Sequence, residues 1–137
     1  MRLRSESRAF CWSLLTLGKP PGLAAGLGVA AAGPGTELTG TSLEPDLSDH
    51  VLMLEEVSEA AYRIDRMMFH LTGQTSIRRV AGIRLGRVSD VTPNDPDFGQ
   101  TSEEIVRYWC LRSGIPFLGS ADIGHDAANK VVPFGRP

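Results

Sequence analysis

The sequence predicts an α/β fold, a small strand–helix–strand domain whose sheet is mostly parallel. Three observations predict it. Short apolar-rich runs recur at Val51–Leu54, Val80–Gly86 and Ile115–Leu118, as expected of strands buried on both faces. Between the first two runs, Ile64, Met67, Met68 and Leu71 repeat at i, i+3, i+4 and i+7, which is one face of an amphipathic helix. Between the last two, Thr101-Ser102-Glu103-Glu104 forms a capping-box pattern ahead of Ile105, Val106, Trp109 and Cys110, so a second helix opens there. Strands alternating with helices imply parallel pairing through right-handed crossovers.

In chain order, the first stretch differs from the rest. Arg2, Arg4, Arg8 and Lys19 face a single acid, Glu6, and a Gly/Ala/Pro-rich run from Pro20 to Gly35 follows. A basic start with a small apolar run has the character of a secretory signal or a mitochondrial presequence. The apolar run Cys11–Leu17 is short, however, and ends at Lys19-Pro20-Pro21. The simpler expectation is a linker-like or weakly ordered segment over 1–37, with the folded domain over 38–137. Within that domain the first helix ends near Gly73. Residues 89–100, with Pro93 and Pro96, read as a loop. The second helix stops at Ser113-Gly114, and Lys130–Phe134 reads as a fourth, edge strand.

Composition narrows the classes. A length of 137 residues allows one domain rather than two. With 42% hydrophobic and 22% charged residues, the chain has too much apolar surface to be disordered throughout. A net charge of −2 provides no basic field, so nucleic acid is not an expected partner. No run of 18 or more apolar residues exists, so no membrane-spanning helix is expected. Two cysteines, Cys11 and Cys110, cannot build a disulfide framework and match no zinc spacing; they read as reduced thiols of a cytoplasmic protein.

Few motifs carry chemistry on their own. There is no Gly-x-Ser-x-Gly elbow, and the glycines before Gly35 precede the first strand, so they form no phosphate loop. Asp122, His125 and Asp126 lie close in sequence, but three such groups in a loop do not make a metal motif; no metal and no cofactor is expected. Two positions stand out by context. Glu55 and Glu56 follow the strand Val51–Leu54, and His125 follows Gly124, a few residues past Ile115–Leu118. Functional groups of open α/β sheets gather beyond the carboxyl ends of strands. By position alone the favoured reading of Glu55 and Glu56 is an exposed acid pair or charge near the next helix N-terminus, and that of His125 a surface loop histidine. Gly124 permits unusual backbone angles and close approach. His50 and His70 read as structural or solvated.

Several ordered segments together resemble the C-terminal domain of the LD-carboxypeptidase family. These are serine peptidases that include murein tetrapeptide carboxypeptidases and microcin-immunity proteins. Leu38-Thr39-Gly40-Thr41 with Glu44-Pro45-Asp46-Leu47 is similar to the family's L-x-G-T-x-x-x-P-D-L stretch. Leu52-Met53-Leu54-Glu55-Glu56 followed by Tyr62-Arg63-Ile64-Asp65-Arg66 resembles its L-x-L-E-[DE] strand end and Y-x-I-D-R helix, the most specific match. Val80-Ala81-Gly82-Ile83 with Leu85-Gly86 resembles V-x-G-I-x-x-G. Gly114-Ile115-Pro116-Phe117-Leu118, Gly124-His125, Asn129 and Pro133-Phe134-Gly135 resemble G-I-P-V, G-H, N and P-x-G. Trp12-Ser13-Leu14-Leu15 with Gly18 looks like the segment just before that domain. The resemblance spans residues 11–135.

The resemblance implies a swivelling β/β/α domain and a serine, glutamate and histidine triad. It makes Glu55 the acid that orients the imidazole and His125 the general base, the logic of the Ser-His-Asp template with Glu as the acid. Glu56 takes the neighbouring acidic position and no catalytic role. The implied reaction is hydrolysis of the amide before a terminal D-amino acid in murein-type peptides. The implied partners are that peptide and a docked nucleophile domain or a second copy of the chain. Two departures accompany the resemblance. The family's N-terminal nucleophile domain has no counterpart, so no serine is assigned and the chain alone is expected to be inactive. The family's G-G-N-L segment is replaced by Ala25-Gly26-Leu27-Gly28, without the Asn. The alternative is a non-catalytic remnant or binding domain.

Overall fold

The computed structural model describes the backbone of Leu14–Leu17 and Ala30–Ala31, and residues 40–42, 44 and 46–128 in full. The expected edge strand Lys130–Phe134, the motif residues Asn129 and Pro133–Gly135, Cys11 and the Ala25–Gly28 segment lie outside the described residues.

The strands are β1 (Leu14–Leu17), β2 (Ala30–Ala31), β3 (Val51–Val57), β4 (Gly82–Ser89) and β5 (Phe117–Ser120). The helices are α1 (Ala61–Gly73) and α2 (Ser102–Ser113), and a 3-10 turn covers Ile77–Arg79. The sheet order is β2-β1-β3-β4-β5. β3, β4 and β5 are parallel, as the alternating pattern requires. β1 pairs antiparallel with β3, Leu15 opposite Met53, and β2 pairs antiparallel with β1. These two strands fall within the stretch expected to be linker-like over 1–37, and they extend the sheet on the side of β3 away from β4.

Both helices cover one face of the sheet and contact each other. Leu52 and Leu54 of β3, Ile83 of β4, Ile64, Met68 and Leu71 of α1, and Ile105, Val106 and Cys110 of α2 share one buried core. Each such side chain contributes roughly 1.5–3 kcal/mol by leaving water. Trp109 ties the helices together on its polar side, its Nε1–H donating to Asp65 Oδ1 at 2.7 Å.

The helix ends follow their sequence signals. Thr101 caps α2: its Oγ1 accepts from the Glu104 N–H, and its own N–H donates to Glu104 Oε2 at 2.7 Å. Gly114 closes the helix at φ 75°, a left-handed angle that suits glycine. The first residue before α1 has no side-chain cap; an ion pair one turn apart, Glu59 with Arg63 at 3.1 Å, lies at that end instead.

Strand boundaries shift from the expectation. β4 runs Gly82–Ser89 rather than Val80–Gly86, because Val80 caps the 3-10 turn, its N–H donating to the Ile77 carbonyl. β3 continues past the apolar run through Glu55 and Glu56 to Val57. β5 begins at Phe117, because Pro116 has no N–H to give the ladder; Ile115 stays buried and its N–H donates to the Cys110 carbonyl at 3.0 Å.

Candidate active site

The site grows from β3 outward. In a strand, successive side chains alternate between faces. Leu52 and Leu54 therefore meet the helices, and Glu55 faces the other side of the sheet. Glu55 is nevertheless buried, at 3% exposure. A buried carboxylate needs a partner, and the partner is His125, whose Nδ1 lies 2.8 Å from Glu55 Oε2. The imidazole is itself 43% exposed. An ionised carboxylate only accepts, so Nδ1 donates and Nε2 is the nitrogen left to take a proton.

β4 stands between β3 and β5, so His125 must reach across it. After β5 the chain keeps hydrogen-bonding along β4. The Ala121 N–H donates to the Leu85 carbonyl, and the Arg87 N–H donates to the Ile123 carbonyl, each at 2.8 Å. Gly86 lies between these contacts. A Cβ there would sit 2.6 Å from Ile123 Cγ1 and 3.0 Å from both Ile123 O and Glu55 Cβ. The missing side chain is the space through which the loop approaches Glu55. Gly124 serves in the same way. A Cβ on it would lie 2.9 Å from Arg87 Nε and 3.0 Å from Arg87 Cβ. Of the two properties expected of Gly124, close approach is the one the structure uses; its φ is not in the left-handed range.

Sequence reasoning did not single out Arg87. Its Nε donates to Asp126 Oδ2 at 2.5 Å and its Nη1 donates to Asp122 Oδ1. The Arg87 hydrogen bond, ahead of one from the Ala128 N–H, holds the Asp126 carboxyl below the usual range. The two aspartates that flank His125 are thus engaged by an arginine. Among the described residues no group of three or more His, Cys, Asp or Glu is arranged to hold a metal ion. The readable signal was charge order: a basic residue directly after the strand glycine, and an acid on either side of His125.

Glu56 is buried at 3% exposure. Its Oε1 accepts the Val57 N–H at 2.8 Å, while Oε2 is buried without a partner among the described residues. Burial pushes its carboxyl up to about 7; the Val57 hydrogen bond opposes this, and the charges of Glu59 and Glu55 add to it. Position alone left Glu55 and Glu56 open to being an exposed pair, yet both are inside. His50 is buried, with Nδ1 donating to the Ser48 carbonyl at 2.9 Å, and His70 is exposed on α1. Beyond the carboxyl ends of β3 and β4 a cleft of about 400 Å³ opens, lined in part by Glu59, Tyr62, Arg63, Asn94 and Phe98.

The mixed α/β sheet, with β3, β4 and β5 parallel, carries its buried acid bonded to a loop histidine. The chain belongs to the LD-carboxypeptidase family: residues 27–137 match the LD-carboxypeptidase C-terminal domain. A Synechocystis sp. protein named "Putative carboxypeptidase slr1534" is 34% identical over 100 residues, which are 73% of this chain and 33% of that protein. The crystal structure of muramoyltetrapeptide carboxypeptidase from Oxalobacter formigenes superposes with a TM-score of 0.63 at 28% identity, over 73% of this chain and 35% of that one. The microcin C7 self immunity protein in its wild-type apo state shares the fold, with a TM-score of 0.56 at 18% identity over 85% of this chain and 32% of its own. The chain thus spans about a third of the length of these relatives. No helix among the described residues is long and apolar enough to cross a membrane.

Proposed function

We propose that this chain supplies the acid and the base of a serine-type LD-carboxypeptidase acting on murein-type peptides. Glu55 holds the imidazole of His125 through Nδ1. Nε2 takes the proton of a serine hydroxyl as its oxygen attacks the carbonyl carbon before a terminal D-amino acid. The same proton then passes to the leaving amine, the C–N bond breaks, and water attacks the resulting ester under the same base. The serine comes from a nucleophile domain of the family type, docked against this one, or from a paired chain. We place this chemistry in the cytoplasm, in keeping with the unbridged Cys110.

The observation that carries the reading is the 2.8 Å bond between a buried Glu55 and a half-exposed His125. The open ring leaves Nε2 accessible to a substrate-side group. The neighbour from Oxalobacter formigenes, called a muramoyltetrapeptide carboxypeptidase, supports the substrate class. The second reading is a non-catalytic binding domain. It draws on one fact: among the described residues no serine hydroxyl is hydrogen-bonded to His125.

The test is hydrolysis of an L-Lys–D-Ala murein-type peptide by the chain alone, by the chain mixed with a family nucleophile domain, and by the mixture carrying His125→Ala. Release of D-Ala only on mixing, abolished by the substitution, is the expected result. No release by any mixture containing the folded chain would favour the binding domain.

A further inference from the structure

We propose that Arg87 is a positioning residue for His125, fixing the loop after β5 by gripping an aspartate on each side of the histidine. The inference rests on the catalytic reading of Glu55 and His125, and it deepens it.

The two partners of the bond are held unequally. Glu55 sits within β3, which pairs with β4 at Leu54 before it and at Glu56 after it, so its backbone is bracketed by ladder contacts. His125 sits in a loop beyond the last described ladder contact, Arg87 N–H to Ile123 O. One side-chain hydrogen bond is too weak to order several backbone residues by itself. The loop therefore needs a second attachment near His125.

Arg87 provides it on both flanks. Asp122 precedes His125 by three residues and Asp126 follows it directly. Both accept from the one guanidinium. Asp126 also accepts the Ala128 N–H through Oδ1 at 2.8 Å, so its second oxygen ties the following turn. Gly124 lies over the Arg87 side chain with no room for a Cβ between them. The Arg87 side chain is 31% exposed, Asp126 42% and Asp122 64%, so solvent screens the charges and the two-sided hydrogen-bond geometry, rather than the charge alone, fixes the loop. A planar guanidinium with several fixed donors can span two carboxylates in a set geometry; a lysine ammonium is a point charge and cannot reproduce that geometry. Arg87 touches no reacting atom. It acts through the loop on His125.

The test needs no hydrolysis at its first stage. In the 137-residue chain, a downfield proton resonance of the His125 Nδ1–H bonded to a carboxylate is assigned by its loss in Glu55→Gln. Arg87→Ala, and separately the double variant Asp122→Asn with Asp126→Asn, should lose or broaden that resonance while cooperative thermal unfolding persists. Arg87→Lys should recover part of it. An unchanged resonance in Arg87→Ala overturns the proposal; if Arg87→Ala does not fold, an unchanged resonance in the aspartate double variant does so. In the reconstituted hydrolysis assay, Arg87→Ala should lower kcat about a hundredfold with KM little changed, the cost of misplacing a catalytic group by about 1 Å. If the resonance behaves as expected but the wild-type mixture hydrolyses nothing, the positioning role stands and the carboxypeptidase reading falls.

Discussion

Gly86 and Ile123 meet so closely that no side chain fits between them. A Cβ on Gly86 would lie 2.6 Å from Ile123 Cγ1, well inside van der Waals contact. The same Cβ would press on Glu55 Cβ at 3.0 Å. Gly86→Ala is therefore expected to destabilise the fold by about 2 kcal/mol, the usual scale for overpacking, and to push the His125 loop away from Glu55. Urea unfolding measures the first effect, and D-Ala release by the reconstituted enzyme the second. Wild-type stability together with wild-type release would show that the loop yields freely.

The acid and the base should respond unequally to substitution. In the reconstituted enzyme, His125→Ala is expected to lower kcat by up to about 10⁶ and Glu55→Gln by about 10⁴, the sizes found for the base and the acid of an analogous triad. The double variant should lose little more than His125→Ala, because the two groups act as a unit. Steady-state kinetics on the murein-type peptide decides this; additive losses would argue against a shared role.

Glu56 makes stability depend on pH. Its carboxyl is raised from 4.5 to about 7, first by burial. A group whose folded value is raised contributes fully below its unfolded value and loses that contribution as pH rises through the folded one. The fold should thus be most favoured by this residue below pH 4.5 and lose on the order of 3 kcal/mol of that contribution between pH 4.5 and 7. Glu56→Gln removes the ionisable group, so its unfolding free energy should fall less across this window. Denaturant titrations of both proteins at pH 5 and 8 provide the comparison, and parallel pH dependences would count against a buried, raised carboxyl.

Cys110 should be chemically quiet. It lies on the buried face of α2, and burial pushes its thiol from 9.0 to about 11. At pH 8 only about one molecule in a thousand carries the reactive thiolate, even before access is considered. Alkylation mapped by mass spectrometry should leave Cys110 unmodified in the native chain and modify it in urea. Rapid modification under native conditions would mean that α2 opens readily.

The sequence made some parts of this protein readable and hid others, for physical reasons. The period of Ile64, Met67, Met68 and Leu71 and the capping box at Thr101 are local signals, and both helices stand where those signals put them. The apolar run Val51–Leu54 showed where a strand begins. It could not show that β3 continues through two buried acids, since Glu55 finds its partner in a loop histidine 70 residues on and Glu56 is buried with one oxygen unpartnered among the described residues. Glu55 and His125 stand out through the family resemblance, because position alone favours surface groups there. Gly86 and Arg87 were not singled out, because what matters about them is what stands opposite, and that is settled only when β4 and the loop after β5 come together.

Glu55 and His125 are 70 residues apart along the chain. Their meeting requires β3 to pair with β4, β4 to pair with β5, and the following loop to fold back over Gly86. Nothing nearer in sequence can substitute for these steps. During synthesis, α1 and its flanking strands can assemble while the ribosome still holds the histidine. The orienting bond is therefore expected among the last contacts to form, and among the first to open when the sheet edge frays. Pulse-labelled hydrogen exchange would read this order, with α1 protected before the amides of residues 121–126. A nascent or partly unfolded chain would then carry an idle imidazole, and competence would arrive only with the completed domain.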